Sequence, residues 1–330
     1  MSSNLQISLL GAGHLGKIHA NLLKQIPEVE LAGIYDIDQA KSQSAARELN
    51  CRAHDNLQDA LIRSHAVIIA AATTAHYDLA LDSIFQGRHV FIEKPIAATV
   101  EQAQEIVQSA KEAGVKLQIG HIERFNPAFK AIAGIELRPQ FIEVHRLAAF
   151  NPRGADVAVV MDLMIHDLDL ILQMVKSPLK TLHASGVEVV SSGVDIANAR
   201  LIFDSGCVAN VTASRLSAKK MRKMRIFQRN GYISLDFAAG QAEIFELQDG
   251  EPPAGGFILG AIDQGAHRRN IIYRKPTVVP LNAMMEEQKA FVQAILQDKP
   301  TTVTGEDGLA ALILAEKILH EIQSSRWQDS

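Results

Sequence analysis

Three glycines in Gly11-Ala12-Gly13-His14-Leu15-Gly16, set between an apolar run at residues 6–10 and a helical pattern, restrict this chain more than any other feature of its sequence. The first glycine permits a tight strand-to-helix turn, the second lets a ligand approach the backbone, and the third allows the helix to pack closely on the strand. The helix N-terminus then offers unpaired N–H groups and the positive end of its dipole to a pyrophosphate, with His14 and Leu15 beside it. Asp36 closes a second apolar run at residues 29–35. It stands 20 residues beyond Gly16, where a carboxylate accepts hydrogen bonds from ribose hydroxyls. Together these residues predict a dinucleotide-binding βαβ unit. Ile37 rather than Arg or Ser follows Asp36, and the acid would repel a 2′-phosphate, so the expected cofactor is NAD rather than NADP.

Residues 6–10, 29–35, 66–71, 89–92 and 116–120 read as short strands alternating with helical patterns, as a parallel sheet with crossover helices requires. Thr99-Val100-Glu101-Gln102 is a capping box, and Val100, Ala103, Val107 and Ala110 follow at helical spacing. After Gly120 the rhythm changes. Residues 162–174 predict a helix, whereas 188–190, 197–203, 207–214, 224–229 and 232–237 predict strands joined by turns such as Asp204-Ser205-Gly206 and Asn230-Gly231. Consecutive hairpins imply a largely antiparallel sheet. Helices over 283–297 and 306–323, split by Lys299-Pro300, close the chain, and Pro252-Pro253-Ala254-Gly255-Gly256 predicts a loop excursion within 251–265. A length of 330 residues suits two domains, 1–121 and 122–330.

The charge balance of −4 is too small to attract nucleic acid or an anionic membrane, so neither is an expected partner and any anion site must be local. Cys51 and Cys207 lie far apart with no metal-ligand spacing, which predicts no disulfide framework, no metal centre and a reducing, cytoplasmic setting. Met1-Ser2-Ser3-Asn4 lacks a basic, apolar leader, and no apolar run is long enough to span a bilayer.

Two further motifs carry chemistry. Glu93-Lys94-Pro95 ends the fourth strand, at the carboxyl edge where open α/β sheets bind ligands. Proline restricts the Lys94 backbone and allows a cis bond. The competing reading is a surface lysine. Asp162, His166 and Asp169 recur at i, i+4 and i+7, so they share one helix face, with Leu163, Leu170 and Met174 as a packing stripe. A carboxylate at that spacing can orient an imidazole that takes a proton near neutral pH. The competing reading is a capped core histidine.

With these motifs in this order, the chain resembles the Gfo/Idh/MocA oxidoreductases, the family of glucose–fructose oxidoreductase and inositol dehydrogenase. The resemblance covers essentially the whole chain. It implies an N-terminal Rossmann dinucleotide-binding domain (α/β) joined to an α+β domain on an open, mostly antiparallel sheet that binds substrate and supports oligomerisation. By position it implies Lys94, Asp162 and His166 as catalytic residues. It further places Gly11, Gly13, His14, Leu15, Gly16, Asp36, Thr73, His76, Glu93 and Lys94 about the NAD. The family's usual proline in the turn after the third strand is replaced here by Ala72.

A narrower likeness, to the branch that contains UDP-N-acetylglucosamine 3-dehydrogenases, rests on Gly120-His121-Ile122-Glu123-Arg124-Phe125-Asn126-Pro127 and on the segment 156–167. It implies oxidation of C3 of a UDP-N-acetylhexosamine, with Arg124 and Asn126 as substrate contacts beside Lys94, Asp162 and His166. Either Lys94 or His166 would take the proton. The alternatives are an inositol or free-sugar dehydrogenase, a biliverdin-type reductase, or a non-catalytic NAD-binding regulator. Lys219-Lys220-Met221-Arg222-Lys223-Met224-Arg225 puts five cations in seven residues, making Arg222, Arg225 or Arg124 candidates to grip a diphosphate. The open sheet face of such a domain needs covering, which implies a homodimer or homotetramer.

Overall fold

The computed structural model describes residues 4–151, 157–253, 255–264 and 267–325. The chain forms two compact units, Met1–Ile122 with Asn282–Ile313, and Glu123–Leu281 with Leu314–Ser330.

In the first unit, β1 (Leu5–Leu10), α1 (His14–Leu23), β2 (Val29–Tyr35), α2 (Gln39–Glu48), α3 (Leu57–Ile62), β3 (Ala66–Ile69), α4 (Thr73–Phe85), β4 (His89–Glu93), α5 (Val100–Ala113) and β5 (Leu117–Gly120) alternate along the chain. The strands pair in the order β2-β1-β3-β4-β5, all parallel. The direction of winding reverses between β1 and β3, so a crevice opens at their carboxyl ends. The central strands read as continuous apolar runs, Ala66–Ile69 being wholly buried, because helices cover both faces of a parallel sheet. Thr99 accepts the Gln102 N–H and starts α5, as its capping box predicts.

The second unit carries α6 (Pro127–Lys130), β6 (Phe141–Leu147), a π-helical turn Val160–Met164 continuing into α7 (Ile165–Val175), β7 (Leu179–Val187), β8 (Ile196–Phe203), β9 (Val208–Ser214), β10 (Met221–Gln228), β11 (Gly231–Asp236), β12 (Gln241–Gln248), β13 (Gly256–Gln264) and β14 (His267–Arg274). Among the described residues nine strands pair as β13-β14-β12-β11-β10-β6-β9-β8-β7, antiparallel except for β6 against β9. Met224, Ile226, Ile233, Leu235 and Ile244 point to the buried face. On the opposite face, register aligns Phe141, Phe227, Tyr232, Phe245, Tyr273 and Phe257 in one row across six strands. Tyr232 and Phe245 stack at 4.5 Å between centroids, and their neighbours stand 5.0–6.0 Å apart.

Three expectations change. Residues 188–190 are not a strand; β7 ends at Val187, and the backbone N–H groups of Val189, Val190 and Ser191 turn instead to the Asp195 carboxylate at 2.8–3.0 Å. Residues 256–264, expected as loop, form the edge strand β13, while Ala254 and Gly265 lie outside the described residues. The third change concerns the division of the chain, because α8 (Ala283–Leu296) and the start of α9 (Gly305–Ser324) belong with the first unit. Phe291 and Val292 join Ile7, Leu9 and Phe91 in its core. Beyond them, Thr301 Oγ1 donates to Leu117 O at 2.8 Å and Ile119 N to Val303 O at 3.1 Å, closing the β5 edge. A parallel sheet leaves an edge and a helix face to be covered, and the returning chain supplies both.

Among the described residues, no helix is long and apolar enough to cross a membrane, and no group of three or more His, Cys, Asp or Glu side chains is arranged to hold a metal.

Candidate active site

Each glycine of the first turn meets a distinct spatial demand. Gly11 has φ +111°, and a Cβ there would lie 2.6 Å from the Ala70 backbone, whereas a Cβ on Gly16 would lie 2.0 Å from Gly11 O. At Gly13 nothing lies within 4 Å, and His14 and Leu15 beside it are exposed. The turn therefore offers open backbone where a pyrophosphate must sit. Asp36 is fixed by two backbone donors, Ala12 N to Oδ2 at 2.8 Å and Asp38 N to Oδ1 at 2.9 Å, which leaves lone pairs on both oxygens for a ribose diol. A cavity of about 410 Å³ runs from Gly11 and Asp36 to Ala72 and Leu79, and Ile37, 92% exposed, stands free to cover an adenine. These residues fit the adenosine diphosphate half of NAD.

Lys41 also lines this cavity, a cation that could compensate a 2′-phosphate, but its Nζ lies 3.5 Å from Asp38. Titration of the protein with both cofactors is accordingly expected to give tighter binding of NADH than of NADPH, with Asp36→Ala narrowing the gap. Equal affinities for the unaltered protein would remove Asp36 from its role.

Lys94 is half-buried at the end of β4, and its bond to Pro95 is cis. Two residues expected at the cofactor are instead engaged by the protein. Glu93 turns inward, with Oε1 2.7 Å from His19 Nε2. Burial alone would raise its carboxyl, but the His19 ring and the Lys94 ammonium hold it below the usual carboxylate range. His76 is buried, with Nδ1 2.9 Å from Pro95 O and Nε2 3.2 Å from Ala71 O. Burial pushes its imidazole down, only partly offset by those carbonyls. Thr73 is half-buried at the first position of α4.

In the second unit, Asp162 lies in the π-helical turn and faces a cavity of about 440 Å³ lined also by Phe150, Asn151, Leu163, Arg215 and Lys220. Widened turns of this kind concentrate at functional sites because they displace side chains from the regular ladder. His166 follows near the start of α7, half-buried. Asp169 is buried and receives Arg124 through two hydrogen bonds of 2.8 and 2.6 Å. Asp167 receives Arg146 likewise, at 2.6 and 2.7 Å, and Arg146 Nη1 reaches Glu123 at 3.0 Å. Asn126, expected at the substrate, accepts the Ala128 N–H and donates to Glu123 and Phe237 O. Arg124 and Asn126 are thus buried framework. Both are too polar to be buried unpaired, and the carboxylates on α7 and at Glu123 pair them.

The basic run divides in the same way. Arg222 pairs with Glu123, Arg225 with Glu143 and Lys223 with Asp236, while Lys220 is exposed and pairs with no carboxylate among the described residues. Arg215, which no motif marked, is buried at the cavity with Nε 3.8 Å from Asp195 and a hydrogen bond to Val157 O. Burial alone would raise the Asp195 carboxyl, but donation from Ser191 and from three backbone N–H groups holds it well below the usual range.

Residues 5–121 match the oxidoreductase family with an NAD-binding Rossmann fold, and residues 140–234 match the GFO/IDH/MocA C-terminal domain. The chain belongs to the Gfo/Idh/MocA oxidoreductase family, and NAD is its cofactor. It is 33% identical over 317 residues to UDP-N-acetylglucosamine 3-dehydrogenase of Acidithiobacillus ferrooxidans, covering 96% of each chain. A solved structure of that enzyme superposes with a TM-score of 0.86 at 30% identity, over 97% of this chain and 98% of the other. Myo-inositol 2-dehydrogenase of Thermotoga maritima is 23% identical over 98% of this chain and 99% of its own.

Proposed function

We propose that the protein oxidises the C3 hydroxyl of a UDP-N-acetylhexosamine to a ketone. The observation that carries this reading is the cavity of the second unit, which combines the acid Asp162 with the cations Arg215 and Lys220 in a chain of net negative charge. Asp162 is the partner of the imidazole that takes the carbinol proton, and Lys220, which pairs with no carboxylate among the described residues, is the cation left for a diphosphate, Arg215 being engaged by Asp195 and Val157 O. The relative of similar length that acts on such a sugar supports it.

The reaction removes a hydride from the carbinol carbon and a proton from its oxygen. NAD, when bound, supplies the hydride acceptor. His166 takes the proton, Asp162 orients the imidazole and stabilises its charged form, and Lys94 donates a hydrogen bond to the reacting oxygen, favouring its alkoxide-like charge. Lys220, rather than Arg222 or Arg225, meets the diphosphate.

Steady-state assays following NADH formation with UDP-N-acetylglucosamine, free N-acetylglucosamine and myo-inositol test this. Activity is expected with the UDP-sugar alone, and Lys220→Ala should raise its KM about tenfold at nearly constant kcat, the signature of lost ground-state binding. Comparable rates on free sugar or inositol would defeat the reading.

The aromatic row on the open sheet is the surface on which a second copy would bury apolar area, giving a homodimer or a tetramer built from one. Light scattering of the unaltered protein and of Tyr232→Glu/Phe245→Glu is expected to show an oligomer and a monomer respectively. A monomeric unaltered protein would refute this interface.

A further inference from the structure

Two buried histidines of the first unit touch the turn that carries Lys94, one on each side. His19, on α1, is fully buried, with its ring edge-on to Phe91 at 5.5 Å. Gln288 of α8 places Nε2 2.7 Å from His19 Nδ1 and 3.1 Å from His19 O. An amide N–H that donates to the carbonyl and to Nδ1 leaves the ring proton on Nε2, where it is donated to Glu93 Oε1 at 2.7 Å. The other Glu93 oxygen lies 3.3 Å from the Lys94 backbone N, and a Cβ on Gly120 would stand 2.9 Å from it, so the carboxylate has little room to move. On the far side, His76 Nδ1 lies 2.9 Å from Pro95 O and Nε2 3.2 Å from Ala71 O, two residues past β3; a neutral ring has one N–H, and it serves the nearer carbonyl, that of Pro95.

We propose that His19, Gln288 and His76 are positioning residues that clamp the Lys94 turn, His19 through the Glu93 carboxylate and His76 through the Pro95 carbonyl. Lys94 is a flexible chain on a loop, and a reacting group must be held to within a fraction of an ångström of its productive place. The clamp joins three separate parts of the fold, α1, α4 and α8, to the residues on either side of Lys94. The oxygen that Lys94 would contact is that of the proposed reaction, so the kinetic part of the inference rests on that reading.

The test uses the full chain with NAD and UDP-N-acetylglucosamine. His19→Phe keeps ring volume and removes both hydrogen bonds. It is expected to lower kcat about tenfold or more while the NADH dissociation constant stays within about twofold. His19→Gln, which can still donate to Glu93, should recover most of that loss. In a Lys94→Met background His19→Phe should have no further effect, because residues acting through one group are not additive. An equal loss in both backgrounds, or wild-type kcat in His19→Phe, overturns the proposal.

If His19→Phe does not fold, Gln288→Met or His76→Phe replaces it, with the same expected loss and the same overturning result. Crystal structures provide a readout that needs no substrate. In the variant, Lys94 Nζ should shift by about 1 Å or more from its wild-type place. An unmoved Lys94 refutes the clamp whatever the enzyme oxidises, whereas a shifted Lys94 in a protein inactive on the UDP-sugar supports the clamp and sinks only the substrate reading.

Discussion

Lys94→Met and His166→Asn are each expected to reduce turnover of the UDP-sugar by about 10²-fold or more, the usual scale for losing acid–base or charge stabilisation in a transition state. Methionine preserves the length of the lysine chain and removes its charge. Asparagine keeps a polar side chain of similar reach near the Nδ1 position and cannot take a proton. Neither residue belongs to the glycine turn or the Asp36 cavity, so NADH affinity should stay nearly constant in both variants. If His166→Asn retains turnover while Lys94→Met abolishes it, the proton goes to the lysine and the imidazole only shapes the site. Wild-type turnover in both would refute the assignment.

Arg146→Met should destabilise the second unit by about 3–5 kcal/mol, the scale measured when one partner of a buried ion pair is removed. Arg146 is buried and engages two carboxylates, Asp167 and Glu123, themselves buried, so the variant leaves both without its charge. Arg222 remains for Glu123, but among the described residues no second cation reaches Asp167. Adding Asp167→Leu should restore part of the loss, because an apolar pair often replaces a buried ionic one at little net cost. Denaturant unfolding measures both, and a loss below about 1 kcal/mol would show the network to be solvated in solution. The consequence reaches the chemistry, since Asp167 anchors α7, and with it His166, to Arg146 of β6, while Asp169 anchors it to Arg124 of the preceding turn.

The dinucleotide cradle was legible because every part of it is local or periodic. Gly11, Gly13 and Gly16 belong to one turn, and Asp36 closes the strand beside it. The strand over residues 29–35 coincides with β2, and the helix after Thr99 starts where its capping box places it. The helix carrying Asp162 and His166 was legible in extent, but the π turn at Val160–Met164 was not, because a widened turn has no periodicity of its own. The edge strand β13 follows Pro252-Pro253, whose turn chemistry points to a loop, and it is pairing with β14 that makes a strand of residues 256–264.

Spacing along the chain by itself determined the Rossmann unit, set the expectation of a ribose without a phosphate, and marked Lys94, Asp162 and His166 as candidates, to which the family resemblance gave catalytic roles. Only the tertiary structure decided which charges are spent and which remain. Arg124, Arg222 and Arg225 carry the same side chain as any phosphate-binding arginine. Each is taken by a carboxylate from another segment, Asp169, Glu123 or Glu143, whereas Lys220 remains exposed on the cavity. Likewise His19 is a helix residue until Glu93 and Gln288 approach it from 74 and 269 positions away. Local preferences depend on neighbours within a few residues, but burial and ion pairing depend on which distant segments the fold brings into contact, and that follows from how the two units bury their apolar surface.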